Sequence, residues 1–340
     1  HLMDEPGGRR VHSRQVPNLG GLAVFAGFTV AFLMFSHLGI YPQFQFLLAA
    51  VIVIFFIGVK DDIMIIAPIT KFLGQVVAAF VVVVPGNIRF TDLHGFSGIT
   101  DIPYVFSVLL TIFVILVIIN AFNFVDGIDG LSSGLGILTA STYGVWFLLH
   151  EETGYALLAW SLTGALLAFF VFNMWGRRNK VFMGDTGAQL VGLIVAVLTI
   201  QFNEMNILAQ NPSAIPSAPS VTFGILVIPL VDTLRVMFIR FVISRSLFKA
   251  DKNHFHHQLL ELGFTHKQAT FTILAINLLF IVFVFTICRK VSIRRLMLLI
   301  LVLAMFINYI PAYFIEKRRR DAAKNKKKSE KANTSSQNAD

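Results

Sequence analysis

The chain has 340 residues, of which 56% are hydrophobic and 34 are phenylalanine, while only 14% are charged. So much apolar surface exceeds what a water-soluble core of this length needs, which excludes a soluble globular protein and requires a polytopic membrane protein. The formal charge of +9 makes the aqueous surface basic, and the single cysteine, Cys288, excludes a disulfide within the chain.

Ten apolar runs suited to a ~30 Å hydrocarbon layer follow one another. They cover roughly 20–38, 44–59, 72–85, 103–119, 131–149, 155–173, 188–202, 221–239, 269–288 and 296–315. The third and seventh fall short of the ~20 residues a crossing helix needs. The expected fold is therefore an all-α integral membrane bundle of about ten transmembrane helices spanning 1–316, with no soluble domain between them. The stretch 317–340, KRRRDAAKNKKKSEKANTSSQNAD, is polar and dense in charge. It is expected to be a disordered cytoplasmic tail, drawn to anionic lipid by about 1 kcal/mol per basic residue near the surface.

Orientation follows from lysine and arginine, which stay in cytoplasmic loops. If the first run begins inside, 23 of the 28 basic residues lie on the cytoplasmic side, and the exceptions are Arg89, Arg289, Lys290, Arg294 and Arg295. Both termini then face the cytoplasm. The chain opens on His1, and its first basic loop has no apolar run before it, so a further upstream segment is expected.

The polar residues with chemical potential fall on that same side. The loop stretches are GGRRVHSRQVPNLGG, GVKDDIMIIAPITKFLGQ, NAFNFVDGIDGL, NMWGRRNKVFMGDTGAQ and KADKNHFHHQLLELG. They bring five acids, Asp61, Asp62, Asp126, Asp129 and Asp185, to one membrane boundary. Acids gathered in this way raise one another's pKa unless a cation neutralises them, which asks for a divalent metal or a basic partner. Mg²⁺ suits such oxygen ligands and usually keeps water and substrate phosphate as the rest of its shell. Arg9, Arg10, Arg14, Lys71, Arg177, Arg178, Lys180 and three histidines surround the acids, an excess of positive charge that a phosphate-bearing substrate requires. Gly127, Gly130, Gly184 and Gly187 permit close backbone approach to an anion or a nucleobase. Taken singly, a Gly-Asp pair is an ordinary turn or cap. The five stretches on one face of the bundle form a pattern that a turn does not explain.

In this order and spacing the five motifs resemble those of the polyprenyl-phosphate N-acetylhexosamine-1-phosphate transferases, with the muramoyl-pentapeptide transferase as a more distant relative. The resemblance runs from Asp4 to about Ile315. It implies a chain of eleven helices whose first is missing here, and HFHH is closer to the branch that uses simple UDP-N-acetylhexosamines. Carried over residue by residue, it implies Asn123 and Asp185 as Mg²⁺ ligands, with Mn²⁺ as a substitute. Asp61 and Asp62 match the acidic pair, one of them base or nucleophile, and Asp126 joins them as the third catalytic acid. Gly127, Ile128 and Asp129 with Phe182 resemble the uridine pocket. Arg14 and Lys71 resemble phosphate-binding residues, Lys71 on the lipid side. His254, His256 and His257 resemble the histidine loop over the nucleotide-sugar phosphates.

The implied reaction moves N-acetylhexosamine 1-phosphate, GlcNAc-1-phosphate first among the choices, from a UDP-sugar to undecaprenyl phosphate and releases UMP. This would be the first membrane step of a cell-envelope glycan, made in the bacterial cytoplasmic membrane with the site facing the cytoplasm. Membrane lipids are expected partners, a homodimer is an admissible assembly, and no nucleic acid is expected. Alternatives are the same transfer from a 6-deoxy-N-acetylhexosamine or MurNAc-pentapeptide donor, a non-enzymatic lipid-binding scaffold, and an ion-coupled anion transporter. The transporter would want charge near the bilayer midplane, where Asp232 in PLVDTLRVMFIR is the one candidate.

Overall fold

The computed structural model of the protein describes residues 3–4, 16–17, 19–36, 39–64, 66–96, 98–176, 179–207, 214–242 and 254–337. Arg9, Arg10, Arg14, Arg177 and Arg178 lie outside the described residues. Helix occurs in each of the ten expected runs, as two helices in 221–239. In chain order these are α1 (Gly20–Phe35), α2 (Gln43–Met64), α3 (Pro68–Val83), α4 (Tyr104–Val125), α5 (Leu131–Leu149), α6 (Thr153–Trp175), α7 (Gly184–Met205), α8 (Ala218–Ile225) with α9 (Val227–Val242), α11 (His266–Ile287) and α12 (Ile293–Gln337). A short α10 (Phe255–Glu261) carries most of the HFHH stretch. The described strands are two antiparallel pairs, β1 (Met3–Asp4) with β2 (Val16–Pro17) and β3 (Asp92–Phe96) with β4 (Ile99–Asp101).

The protein is thus an all-α multi-pass membrane protein, but fewer helices than ten are full crossings by length and apolarity. Among the described residues five qualify, α4, α6, α7, α11 and the first part of α12, or six if α8 and α9, bent by 80°, make one broken span. The 16-residue α1 and α3 are apolar, but each rises only about 24 Å. The stretch after Glu316 is the rest of α12, which continues to Gln337. Its Ala, Lys, Arg and Glu content favours helix, and the preceding apolar turns have already met the cost of nucleation.

Local chemistry sets the helix ends. Pro68 opens α3 from its first turn, where a missing N–H costs nothing. Thr265 and Gln268 form a reciprocal capping box on α11. Gly130 precedes α5 with φ +73°, a left-handed conformation that glycine adopts without strain.

At the centre stands α7, packed by α1, α2, α4 and α5 and buried along almost its whole length. Small residues let the neighbours come close, as helix contacts in lipid require. A Cβ on Gly21 would lie 2.4 Å from the Gly187 nitrogen, one on Gly58 2.4 Å from Thr186 Cα, and one on Gly192 2.6 Å from Ile119 Cα. Gly187 is therefore a helix-packing residue of α7, not the anion-binding turn that its sequence suggests. At the far end of α7, Glu204 accepts from the Thr91 backbone and hydroxyl at 2.8 and 2.6 Å, which ties the β3–β4 hairpin to this helix.

Gly21→Val should force α1 away from backbone atoms that cannot yield, costing about 1–3 kcal/mol by overpacking. Gly164, on α6, has nothing within 4 Å of a built Cβ, so Gly164→Ala serves as the control. Thermal unfolding in detergent should show a clear loss for the first and none for the second; equal melting temperatures would contradict the packing described.

Candidate active site

The ends of α2, α4 and α6 and the starts of α1, α3, α5, α7 and α11 meet at one end of the bundle, and the acids of the sequence motifs gather there. Asp61 and Asp62 are adjacent near the end of α2, so their side chains leave the helix about 100° apart. They have separate tasks. The Asp62 carboxylate receives the start of α7: Oδ1 accepts from the Asp185 N–H at 2.8 Å, and Oδ2 accepts from the Thr186 N–H at 3.1 Å and hydroxyl at 2.5 Å. This is a helix cap supplied by a different helix, and α7 has no side-chain cap from its own N-cap residue. Gly184, with φ +65°, leaves room for it, since a Cβ there would sit 2.7–2.9 Å from the Asp62 carboxylate.

Asp61 turns towards α3. Its Oδ1 accepts from the Ile66 N–H at 2.9 Å, and Oδ2 lies 3.1 Å from Lys71 Nζ. The same ammonium is paired with Asp185 and sits 3.4 Å from the Asn123 amide oxygen. Asn123 in turn donates to Asp185 Oδ1 at 2.5 Å. One cation therefore occupies the point where oxygens of α2, α4 and α7 converge.

Behind that point lies a polar chain that the sequence reading did not single out. Asn120 donates to Gln75 and Gln75 to Gln189, each at 2.9 Å, with both glutamines buried. They join α4, α3 and α7, and fixed hydrogen bonds in a low-dielectric interior hold the groups above them in place. Amides inside otherwise apolar runs were the available signal.

The turn after α4 carries the remaining acids. Burial raises the Asp126 carboxyl from its ordinary 3.8 to about 8, and the charges of Asp185, Asp62 and Asp129 push it the same way. Asp126 thus belongs electrically to both halves of the site. Burial would also raise Asp129, but hydrogen bonds and charge from His266 and Lys180 outweigh it and hold that carboxyl below the usual range. Lys180 Nζ is 2.6 Å from Asp129 Oδ2 and 5.6 Å from the centre of the Phe182 ring, so Asp129 and Phe182, expected together, share one lysine. His266 and Thr270 of α11 also reach Asp129 or its carbonyl, at 3.6 and 2.7 Å. Gly127 is at the apex and Ile128 points inward, 6% exposed.

Asn173, near the end of α6, fixes this turn from below. Its amide oxygen accepts from the Gly130 N–H at 2.5 Å and its amide nitrogen donates to the Val181 carbonyl at 2.7 Å. The loops before α5 and α7 are thereby held to one side chain, which the sequence marks only as a loop boundary.

The histidines close the site from the side. A Cβ on Gly127 would meet His256 Nε2 at 2.4 Å, so the His256 ring packs directly on the turn. Burial pushes His256 down to about 3, and the neighbouring imidazoles of His257, His254 and His266 push the same way while Asp232 opposes. It is neutral at pH 7. The His254 and His256 rings are parallel, 5.6 Å apart, and His257 lies 4.3 Å from His256. No group of three or more His, Cys, Asp or Glu able to hold a metal occurs among the described residues. The oxygens of Asp185 and Asn123 around Lys71 Nζ form a cation-seeking pair, a donor set of the hard kind that Mg²⁺ takes when substrate phosphate and water complete its shell.

Comparison with known proteins gives consistent matches. The family described as Glycosyl transferase family 4 matches residues 44–203. The undecaprenyl-phosphate alpha-N-acetylglucosaminyl 1-phosphate transferase of Yersinia pestis is 30% identical over 271 residues, covering 79% of this chain and 72% of the relative. Its counterpart in Escherichia coli K12 is also 30% identical, with 79% and 71% covered. The decaprenyl-phosphate N-acetylglucosaminephosphotransferase of Mycobacterium tuberculosis H37Rv is 33% identical over 292 residues, again with 79% and 71% covered.

The raised Asp126 carboxyl predicts a pH-dependent stability. A group that binds its proton more tightly when folded stabilises fully below its unfolded pKa, near 4, and loses that contribution as pH rises through about 8. With chelator present, Asp126→Asn should melt higher than the parent at pH 8, and the gap should shrink towards pH 5. Parallel melting curves across that range would remove Asp126 as the cause.

Proposed function

Since the chain belongs to glycosyl transferase family 4, among the polyprenyl-phosphate N-acetylhexosamine-1-phosphate transferases, we propose that it transfers GlcNAc-1-phosphate from UDP-GlcNAc to undecaprenyl phosphate and releases UMP. The observation that carries this reading is the convergence of Asp61, Asn123 and Asp185 on Lys71 Nζ. Such a place suits phosphoryl transfer, where the protein chiefly positions groups and neutralises charge. The relatives, by name, use undecaprenyl or decaprenyl phosphate as acceptor and N-acetylglucosamine as the sugar.

In the proposed reaction an oxygen of the lipid phosphate attacks the β-phosphorus of the UDP-sugar. The bond from that phosphorus to the bridging oxygen breaks, UMP leaves with the electron pair, and the sugar's anomeric bond stays intact. A phosphate monoester has its second pKa near ~6, so the lipid phosphate is largely dianionic at neutral pH and needs little base. Asp61 then orients the lipid phosphate or takes its remaining proton, with Lys71 beside it. Asp62 acts through structure, because its oxygens are committed to the start of α7. Phe182 and the 127–129 turn offer the uridine a stacking face and backbone groups, Lys180 and Asp129 fix that pocket, and His254 and His257 attend the diphosphate. Mg²⁺, or Mn²⁺ in its place, would be held by Asp185 and Asn123 and would supply charge neutralisation on the diphosphate oxygens.

We assign the site to the cytoplasmic face of a bacterial inner membrane, where a water-soluble nucleotide sugar and a polyprenyl phosphate can meet. The product would begin a cell-envelope glycan. The transporter alternative rested on a deep acid, and Asp232 instead has both carboxylate oxygens engaged, by His254 and the Phe255 N–H.

Purified protein given undecaprenyl phosphate and a panel of UDP-sugars should release UMP fastest with UDP-GlcNAc, and excess EDTA should stop it. Asp185→Ala should remain folded and lose about a hundredfold or more in turnover. Wild-type rates from that variant at saturating Mg²⁺, or no UMP from any UDP-sugar, would defeat the assignment. Asp61→Asn should lower kcat, whereas Asp62→Asn should chiefly lower the melting temperature; the reverse ranking would exchange their roles.

A further inference from the structure

Asp232 lies in α9, away from the five sequence motifs, and is 2% exposed. A carboxylate so placed needs full compensation, because an unpaired buried charge is costly. Among the described residues its hydrogen bonds come from the start of one helix. Oδ2 lies 2.8 Å from His254 Nδ1, and Oδ1 accepts from the Phe255 N–H at 2.8 Å. These are the N-cap residue and the first residue of α10, a helix that its own N-cap side chain does not cap. The same carboxylate thus fixes the histidine ring and the backbone that carries it.

A carboxylate only accepts, so Nδ1 of His254 must carry the proton, which leaves Nε2 as the ring nitrogen available to a substrate. His254 lies beside Phe124, with ring centres 6.1 Å apart, and its parallel neighbour His256 presses on Gly127. Phe124 follows Asn123 in α4, and Gly127 is in the turn that ends it. The dyad therefore connects the histidine helix to both halves of the candidate site.

We propose that Asp232 is a positioning residue of the transfer reaction: it holds His254 with Nδ1 towards itself and Nε2 towards the diphosphate, and it pins α10 against the 126–130 turn. This rests on the transferase reading given above. Asp232 touches no substrate and acts through His254.

A double-mutant cycle tests it. Asp232→Asn keeps an oxygen for the Phe255 N–H but offers an amide to Nδ1, so the ring must present the other tautomer. That variant should lose about a hundredfold in kcat, in the range of misplaced acid–base or charge-stabilising groups, with KM for undecaprenyl phosphate unchanged. In a His254→Gln background the same substitution should cost less than about threefold, because the group through which it acts is gone. Losses that multiply in the double variant, or a change confined to KM, would overturn the positioning role while leaving the transferase reading intact. An inactive parent protein would overturn both. ¹⁵N spectra of histidine-labelled parent protein supply an arm that does not depend on Asp232→Asn folding: His254, identified by the signal lost in His254→Gln, should show a protonated Nδ1. A bare Nδ1 there would sink the proposal.

Discussion

The arrangement of the site depends on one carboxylate meeting the start of one helix. Asp62 of α2 accepts three hydrogen bonds from Asp185 and Thr186 of α7, at an N-terminus where backbone donors lack partners and negative charge is favoured. Fixing those two residues fixes the direction in which the Asp185 side chain leaves the helix, and with it the meeting of Lys71, Asn123 and Asp61. Gly184 and Gly58 take part by omission, since a Cβ on either would enter the space that Asp62 or Thr186 needs.

The second condition is a layer of uncharged amides beneath the charged groups. Gln75, Gln189 and Asn120 join three helices below Lys71, and Asn173 joins two loops below the 126–130 turn. Amides suit this layer because each both donates and accepts, so a buried chain can be satisfied without placing further charge in the bundle. Charged groups are thereby concentrated above it, where Asp126 feels three other carboxylates together.

Much of this was legible in the sequence. Apolar runs located most helices to within a few residues, because lipid-facing side chains must be apolar whatever their neighbours are, but 221–239 divides into α8 and α9 and α12 continues well past its run. KDD, NFVDGIDG, MGDTG and HFHH marked residues that do gather at one end of the bundle. Crossing was less legible than helicity, since α1 and α3 are apolar but short. The start of α7 was misplaced because Gly184, Asp185 and Thr186 are turn formers in isolation and become helical once Asp62 caps them from α2. Gly187 looked like part of an anion-binding loop, and its purpose depends on Gly21 of a distant helix. Asp232 stood out as a deep acid, but its link to His254 crosses 22 residues and shows only in three dimensions. Where a residue's role is set by its own chain neighbours the sequence carries it; where it is set by a partner in another helix, the fold must supply it.

Chain order also governs how such a site comes into being. Asp62 is made 123 residues before Asp185, and a ribosome adding ~5–20 residues each second needs several seconds or more to cover that distance. Through that interval Asp62 lacks the partners it meets in the folded protein. The arrival of α7 supplies those partners, and the candidate site is completed last by α10 and α11. A chain interrupted before α7 would therefore hold the partners of Asp61, Ile66 and Lys71, but none of those that Asp62 meets at the start of α7.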